Sequence, residues 1–185
     1  MSESKTSSAP VPERSRRLVL DADIVIAVES ARMREEISAT GPWPIVVTDV
    51  VWSELVDDCP RAHVDGMKKV LSALAVAPTE LHTETAESHA LGALLQVPTQ
   101  KEGAGELSVI AYTLCHPEAI AVLKDRRAVV RAVEEMRERI LSFHGMLDWL
   151  VREGCLPSSI AQRLSAQYLK VNNGTVRPLW WPVAE

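Results

Sequence analysis

Short, mostly apolar runs alternate with amphipathic stretches along most of the chain. The runs are three to five residues long, as is typical of strands buried on both faces, and lie at 17–20, 45–47, 75–77, 119–123 and 140–143. Between them, apolar residues recur at helical spacing, as in the stripe from Leu107 to Leu114. Strands that alternate with helices in this way predict an α/β protein: a mostly parallel central sheet flanked by helices in three layers, α/β/α.

Polar residues predict where several helices begin. Asp23 is predicted to cap the first helix, and Thr48 or Asp49 the helix that follows the second strand. A polar segment, 98–105, precedes a helix that Glu106 is predicted to open. Further helices are predicted from about residue 63 and over 83–95, 145–153 and 158–169. One more follows the fourth strand, with an apolar face predicted to consist of Val129, Val133, Met136 and Ile140.

Composition divides the chain into one domain and two flanking segments. Residues 1–16 are rich in Ser, Pro, Glu and Lys and are predicted to form a flexible arm. The domain is predicted over 17–170, and 171–185 is predicted to be an irregular tail. Two neighbouring tryptophans in that tail, Trp180 and Trp181, are expected to pack on the core or on a partner subunit.

Composition also narrows the class of protein. Hydrophobic residues make up 46% and charged residues 24% of the 185, as in ordinary globular proteins. No apolar run approaches the roughly 18 residues of a membrane span, so no membrane association is expected. Cys59, Cys115 and Cys155 show no paired spacing, and the first residues do not resemble a secretory signal. These features predict a reduced, cytoplasmic location.

Four acidic residues are placed where parallel strands end or the following helices begin. Asp21 comes directly after an apolar run, and Asp125 follows another with only Lys124 between. Glu54 lies in the helix after the second strand, and Glu106 follows two glycines. Because ligands of open α/β sheets bind beyond the carboxyl ends of the strands, we expect these four side chains to converge there. Together with Asp23 they account for the whole net charge of −5, so an acidic total does not exclude an anionic substrate.

Converging carboxylates need a compensating charge, and Mg²⁺ or Mn²⁺ bound by oxygen ligands would supply it. Such an ion supports hydrolysis of phosphodiesters. The histidines are scattered and form no competing metal motif: His63, His82, His89, His116 and His144. Phosphate-binding glycine loops, dinucleotide motifs and serine nucleophile elbows are absent from the sequence.

From Arg17 to about Leu169 the chain resembles PIN-domain proteins. The resemblance is carried, in order, by LVLDADIVI, TDVVWSEL, GAGELSVIAYTL, AIAVLKDRRAVVRA and HGMLDWLVREGCLP. It implies a catalytic and metal-binding role for Asp21, Glu54, Glu106 and Asp125. Asp23 stands where the family usually has Ser, Thr or Asn and would add a carboxylate to the metal site. The chain departs from many relatives at Lys124, where they have an acid, and at Val129, where they have Arg.

PIN domains of this size are commonly VapC-type toxins, which are metal-dependent ribonucleases neutralised by an antitoxin. The resemblance therefore implies Mg²⁺ or Mn²⁺ as cofactor and single-stranded RNA as substrate, with a cognate antitoxin and a second copy of the chain as partners. The cations that would track the RNA backbone toward the acids are Lys124, Arg126, Arg127 and Arg131. A solvated helix face is the alternative interpretation of the arginines, and it is favoured for Arg137 and Arg139.

Two other functions fit parts of the sequence. Asp21-Ala-Asp23 followed by Val25, with Thr48 and Lys124, resembles the opening of haloacid-dehalogenase-type phosphohydrolases. That interpretation lacks a later acidic pair and gives Glu106 no role. Alternatively, the chain is a catalytically weak PIN scaffold for binding or assembly, in which the Lys124 ammonium neutralises the acids without metal.

Overall fold

The computed structural model describes residues 16–30, 33–40, 43–57, 61–74, 77–81, 85–96, 103–124, 126–136 and 139–171. Nearly all of the predicted arm, most of the predicted tail with Trp180 and Trp181, and Asp125 lie outside these ranges. Statements about the structure below concern the described residues.

Five parallel strands form one sheet. They are β1 (Arg17–Leu20), β2 (Ile45–Thr48), β3 (Pro78–Thr79), β4 (Ala119–Val122) and β5 (Ile140–Leu141). Their order across the sheet is β3-β2-β1-β4-β5, which places β1 at the centre. The predicted α/β architecture with helices flanking a parallel sheet is confirmed.

Helices connect the strands and cover the sheet. They are α1 (Ala22–Ser30), α2 (Arg34–Thr40), α3 (Asp49–Val56), α4 (Arg61–Ala73), α5 (Ala86–Leu95), α6 (Ala104–Cys115), α7 (Arg126–Met136), α8 (Phe143–Arg152) and α9 (Ser158–Val171). None of them is long and apolar enough to cross a lipid bilayer.

Strand β1 and helix α6 both contribute fully buried residues to the core. Leu18, Val19 and Leu20 are fully buried in β1, as expected for a central strand covered on both faces. The residues of α6 from Leu107 to Thr113 are all buried, so this helix lies within the protein rather than on its surface. Burying both elements fixes the positions of Asp21, just after β1, and of the first turn of α6.

Two predicted patterns were wrong in detail. The third strand lies at Pro78–Thr79 rather than 75–77; it pairs with the end of β2 at the edge of the sheet, where proline is tolerated. Residues 75 and 76 are outside the described ranges.

On α7, Val133 is 42% exposed, and the buried residues are Ala128, Val129, Ala132 and Met136. The helix is rotated so that two alanines, and not Val133, face the core, while Ile140 lies in β5.

Helix starts also differ from the prediction by a few residues. The first helix, α1, begins at Ala22, whose N–H donates to Asp21 Oδ1 at 2.7 Å, so Asp23 lies in the first turn and is not the cap. Thr48 caps α3, so the first of the two predicted alternatives, Thr48 or Asp49, is confirmed. The last predicted strand ends earlier, because the Ser142 side chain caps α8 by accepting from the Gly145 N–H at 3.0 Å.

Arg139 binds the end of α6 instead of lying on a solvated helix face. Its Nη1 donates to the carbonyl oxygens of Thr113 at 2.6 Å and His116 at 2.8 Å. These groups lie at the carboxyl-terminal end of α6, where unpaired carbonyls and the helix dipole favour a cation. The solvated-face interpretation of Arg139 is therefore wrong.

We expect Arg139→Ala to lower the free energy of unfolding by about 2–3 kcal/mol, since hydrogen bonds from a charged donor to the carbonyls at the end of α6 are lost. Urea denaturation followed by circular dichroism measures the change. Arg163→Ala is the control: its ion pair with Glu36 (3.1 Å) is on the surface, with the Arg163 side chain 56% exposed, and should contribute less than about 1 kcal/mol. Equal losses in the two variants would contradict the role of Arg139.

Candidate active site

Asp21 occupies the carboxyl end of the central strand. Its backbone N–H donates to the Val122 carbonyl of β4 at 3.1 Å, and its Oδ1 accepts the Ala22 N–H. The residue is only 2% exposed. The backbone of Asp21 is thus bonded to the neighbouring strand β4, and water hardly reaches the residue.

The pKa of Asp21 is raised from 3.8 to about 8. Burial is the largest cause, because it disfavours the charged form; the negative charges of Glu106, Asp23 and, more weakly, Glu54 add to it. The hydrogen bond from Ala22 opposes the rise. Three of the other acids predicted to converge are therefore close enough to Asp21 to raise its pKa, and at neutral pH the protonated form of Asp21 is favoured.

Glu54 is directed toward the start of α6. It is carried by α3 and is partly buried, and its Oε1 accepts the Gly105 N–H at 2.8 Å. A Cβ atom on Gly105 would collide with the Glu54 carboxylate. Glycine is needed at 105 for space, since the residue lies within a helix and not in a turn.

Glu106 lies in the first turn of α6, two residues after the first residue of the helix. The amino-terminal end of a helix favours a negative charge, which helps Glu106 to tolerate the neighbouring acids. Gly103 caps this helix without a side-chain bond, and a Cβ there would collide with the Glu106 carboxylate. The two glycines noted in the sequence therefore make room for one glutamate each.

Asp23 and Lys124 form an ion pair at the edge of the acidic cluster. Lys124 Nζ lies 3.7 Å from Asp23 Oδ2, and the two side chains are 38% and 50% exposed. The sequence associates Lys124 with RNA binding or with neutralisation of the acids; its observed partner is one of those acids. The remaining acid, Asp125, lies outside the described residues.

The other predicted RNA contacts are described only in part. Arg126 and Arg127 begin α7, but their side chains lie outside the described part of the structure. Arg131 forms ion pairs on its own helix, with Glu135 at 2.9 Å and Glu134 at 3.9 Å. An RNA contact by these arginines stays a prediction.

Tyr168 of α9 was not singled out from the sequence, yet it lies near the acids. Its ring stacks on Phe143 with centroids 4.2 Å apart, and it is 8% exposed. The pKa of Tyr168 is raised by burial and, second, by the negative charge of Asp23. No spacing along the chain indicates this proximity, because Tyr168 and Asp23 are brought together only by the packing of α9 near α1.

Comparison with known proteins identifies no family for this chain. No protein-family model, no curated protein and no solved structure matches the chain. The resemblance to PIN domains therefore rests on the sequence segments quoted above.

The carboxylates fit a hard divalent cation. Asp21 is a buried acid that carries a proton only because three other acids and little water surround it, and a cation at this place would remove that cost. No three acidic, histidine or cysteine side chains of the described part stand close enough to share one ion as they are. Mg²⁺ usually takes one or two carboxylates and keeps several waters, so a site with fewer than three protein ligands is compatible with its chemistry.

A separate cavity of about 540 Å³ lies between α8 and α9. His144, Asp148 and Ser165 are among the residues lining it, and the Ser165 hydroxyl lies 2.8 Å from His144 Nδ1. None of the candidate acids lines this cavity. This cavity is therefore distinct from the acidic cluster around Asp21.

Proposed function

We propose that the protein is a PIN-like endoribonuclease that uses Mg²⁺ or Mn²⁺ to hydrolyse phosphodiester bonds of single-stranded RNA. The observation that carries the proposal is the buried Asp21, whose pKa is raised by Glu106, Asp23 and Glu54 at the carboxyl edge of a parallel sheet. An arrangement that is costly without a cation, at the usual ligand site of such sheets, supports a function that requires the cation. The class of substrate comes from the resemblance to PIN domains.

Asp21 has a different part in this proposal from the two glutamates. A bound divalent cation would lower the pKa of a water and stabilise the leaving oxygen. Asp21 would give up its proton and hold the ion at a fixed place, because its backbone is tied into the sheet. Glu54, aligned by the Gly105 N–H, and Glu106, at the start of α6, would hold or deprotonate the attacking water. Asp125 is assigned to the same set through the resemblance alone.

Basic residues would bring the substrate to the acids. The partly exposed ammonium of Lys124 lies beside the cluster, where it can attract a phosphate group. In the proposal, Arg126, Arg127 and Arg131 extend this positive charge along α7. The resemblance also extends the proposal to a cytoplasmic toxin, with a cognate antitoxin and a second copy of the chain as partners.

A direct test is cleavage of a fluorescently labelled single-stranded RNA. We expect the purified protein to cleave it with Mn²⁺ and to stop when a chelator is added. Glu106→Gln should slow cleavage by about 100-fold or more, because a charge aimed at the reacting centre is removed while the side chain keeps its shape. Glu153→Gln, on an exposed residue after α8, is the matched control. Full activity of a folded Glu106→Gln variant would remove Glu106 from the site.

The Lys124–Asp23 ion pair favours one alternative, a PIN scaffold that binds partners without catalysis. In that case the ammonium would neutralise the cluster. Adding Mn²⁺ would then neither produce RNA cleavage nor raise the melting temperature. A haloacid-dehalogenase-type phosphohydrolase would instead release phosphate from a small aryl phosphate, which a nuclease of the proposed kind would leave intact.

A further inference from the structure

Two buried hydroxyl groups join the end of β2 to α6. Thr48 Oγ1 and Ser108 Oγ lie 2.7 Å apart, and both residues are completely buried. The Thr48 hydroxyl oxygen accepts the Val51 N–H at 3.2 Å, and the Ser108 hydroxyl donates to the Gly105 carbonyl at 2.7 Å. Residues 60 positions apart in the chain thus share one hydrogen-bonded network.

The direction of each hydrogen bond in this network is determined. Ser108 has one hydroxyl proton and gives it to the Gly105 carbonyl, so the bond between the two hydroxyls must use the proton of Thr48. Thr48 donates to Ser108 and accepts from Val51, which leaves both hydroxyls satisfied. A fully satisfied buried network of this kind specifies one arrangement of its helices.

The network closes into a ring through the candidate site. Gly105, whose carbonyl is bound by Ser108, uses its N–H to hold the Glu54 carboxylate. Glu54 belongs to α3, and Thr48 is the residue that caps α3. The ring therefore runs from Thr48 along α3 to Glu54, across to Gly105, and back through Ser108. Glu106 is the next residue after Gly105.

We propose that Thr48 and Ser108 are positioning residues, which set where α3 presents Glu54 relative to Glu106 and thereby set the affinity for a divalent cation. The cation part of this inference rests on the proposed function. In this proposal neither residue would contact the ion. Removing a group that orients metal ligands without contacting the metal usually lowers metal affinity by about 10- to 100-fold.

A comparison of four proteins separates positioning from plain stability: the wild type, Ser108→Ala, Thr48→Ser and Thr113→Val. We expect Ser108→Ala to weaken Mn²⁺ binding, measured by calorimetry, by about tenfold. Thr48→Ser keeps the hydroxyl and should bind as the wild type does. Thr113 is the matched control, because its hydroxyl is also fully buried on α6 but has no hydrogen-bond partner within the described structure. Thr113→Val should leave Mn²⁺ binding unchanged.

The melting temperature in chelator is measured for the same proteins. If Ser108→Ala lowers it while binding Mn²⁺ as tightly as the wild type, the hydroxyls are structural only and the inference is overturned. Thr48→Val removes the other hydroxyl at similar volume, and it should weaken Mn²⁺ binding to the same extent. This second variant gives the answer if Ser108→Ala does not fold.

Hydrogen exchange of the Gly105 N–H distinguishes failure of this inference from failure of the proposed function. Without metal, we expect Ser108→Ala to speed this exchange by about tenfold and Thr113→Val to leave it unchanged, since only the first loosens the bond to Glu54. If the wild-type protein binds no Mn²⁺, the proposed function is overturned. The hydrogen-exchange rates, measured without metal, would still test whether Ser108 positions Glu54. Unchanged exchange in Ser108→Ala overturns the positioning itself.

Discussion

Asp21→Asn is expected to abolish Mn²⁺-dependent cleavage of RNA, by about a thousandfold or more, and yet to stabilise the metal-free protein in mildly alkaline solution. The wild-type carboxyl has a pKa of about 8 in the folded protein, against 3.8 in the unfolded chain. Between these values the folded state binds more protons than the unfolded state, so stability falls as pH rises. The loss is at most about 1.4 kcal/mol per pH unit and is complete above pH 8. Asn does not titrate, and its Oδ1 can still accept the Ala22 N–H.

Thermal melts at pH 5 and pH 8.5, each with chelator and with Mn²⁺, test this expectation. In chelator, Asp21→Asn should melt above the wild type already at pH 5, which lies above 3.8, and by a clearly larger margin at pH 8.5. An ion at about 100 times its Kd stabilises the wild type by about 2.7 kcal/mol, and the variant should gain much less. Asp65→Asn, on the exposed surface of α4, is the control. A variant that melts below the wild type at pH 8.5 and keeps the full Mn²⁺ increment would show that Asp21 only caps α1.

Gly105→Ala should disable the site through a single methyl group. The added Cβ would collide with the Glu54 carboxylate, which must then turn away and lose the Gly105 N–H. We expect Mn²⁺ affinity to fall tenfold or more, and cleavage with it. Gly92→Ala is the matched control, because a Cβ on Gly92 in α5 meets nothing within 4 Å. The Gly92→Ala substitution should stabilise the protein by up to about 1 kcal/mol without changing Mn²⁺ binding.

A double-mutant cycle identifies the cause of this effect. In a Glu54→Ala background no carboxylate remains for the new methyl group to displace. We therefore expect Gly105→Ala to have little further effect on stability or Mn²⁺ binding there, which is the non-additivity expected of residues in contact. A full effect of Gly105→Ala in both backgrounds would mean that the glycine is needed for something other than the space Glu54 occupies.

The parts of the fold that follow from local pattern could be predicted. The apolar run before Asp21 identified the central strand, and the buried stripe from Leu107 identified α6, because both elements are long enough or buried enough for periodicity to be decisive. The two-residue strand at Pro78–Thr79 carries no such pattern. The rotation of α7 was missed because alanines fill its buried face, and alanine gives a weak hydrophobic signal.

The contacts that shape the site are long-range and leave no trace in local spacing. Strand ends predicted that Asp21 and its neighbours would converge, since parallel strands end at one edge of a sheet. The bond between Thr48 and Ser108 spans 60 residues, and the pairing of Lys124 with Asp23 depends on how β4 lies beside β1. Arg139 was misjudged for the same reason, because its partners on α6 are more than 20 residues away.

The proton on Asp21 and the ammonium of Lys124 offset the negative charge of the cluster. In this respect the cluster resembles the protonated form of a weak-acid cation-exchange resin. Both counter-charges are supplied by the chain and the solvent rather than by a metal ion. In the proposed function, uptake of a divalent ion near neutral pH would be an exchange reaction, in which the ion enters and a proton leaves. Binding would acidify an unbuffered solution, and the apparent affinity would rise with pH until Asp21 is fully ionised.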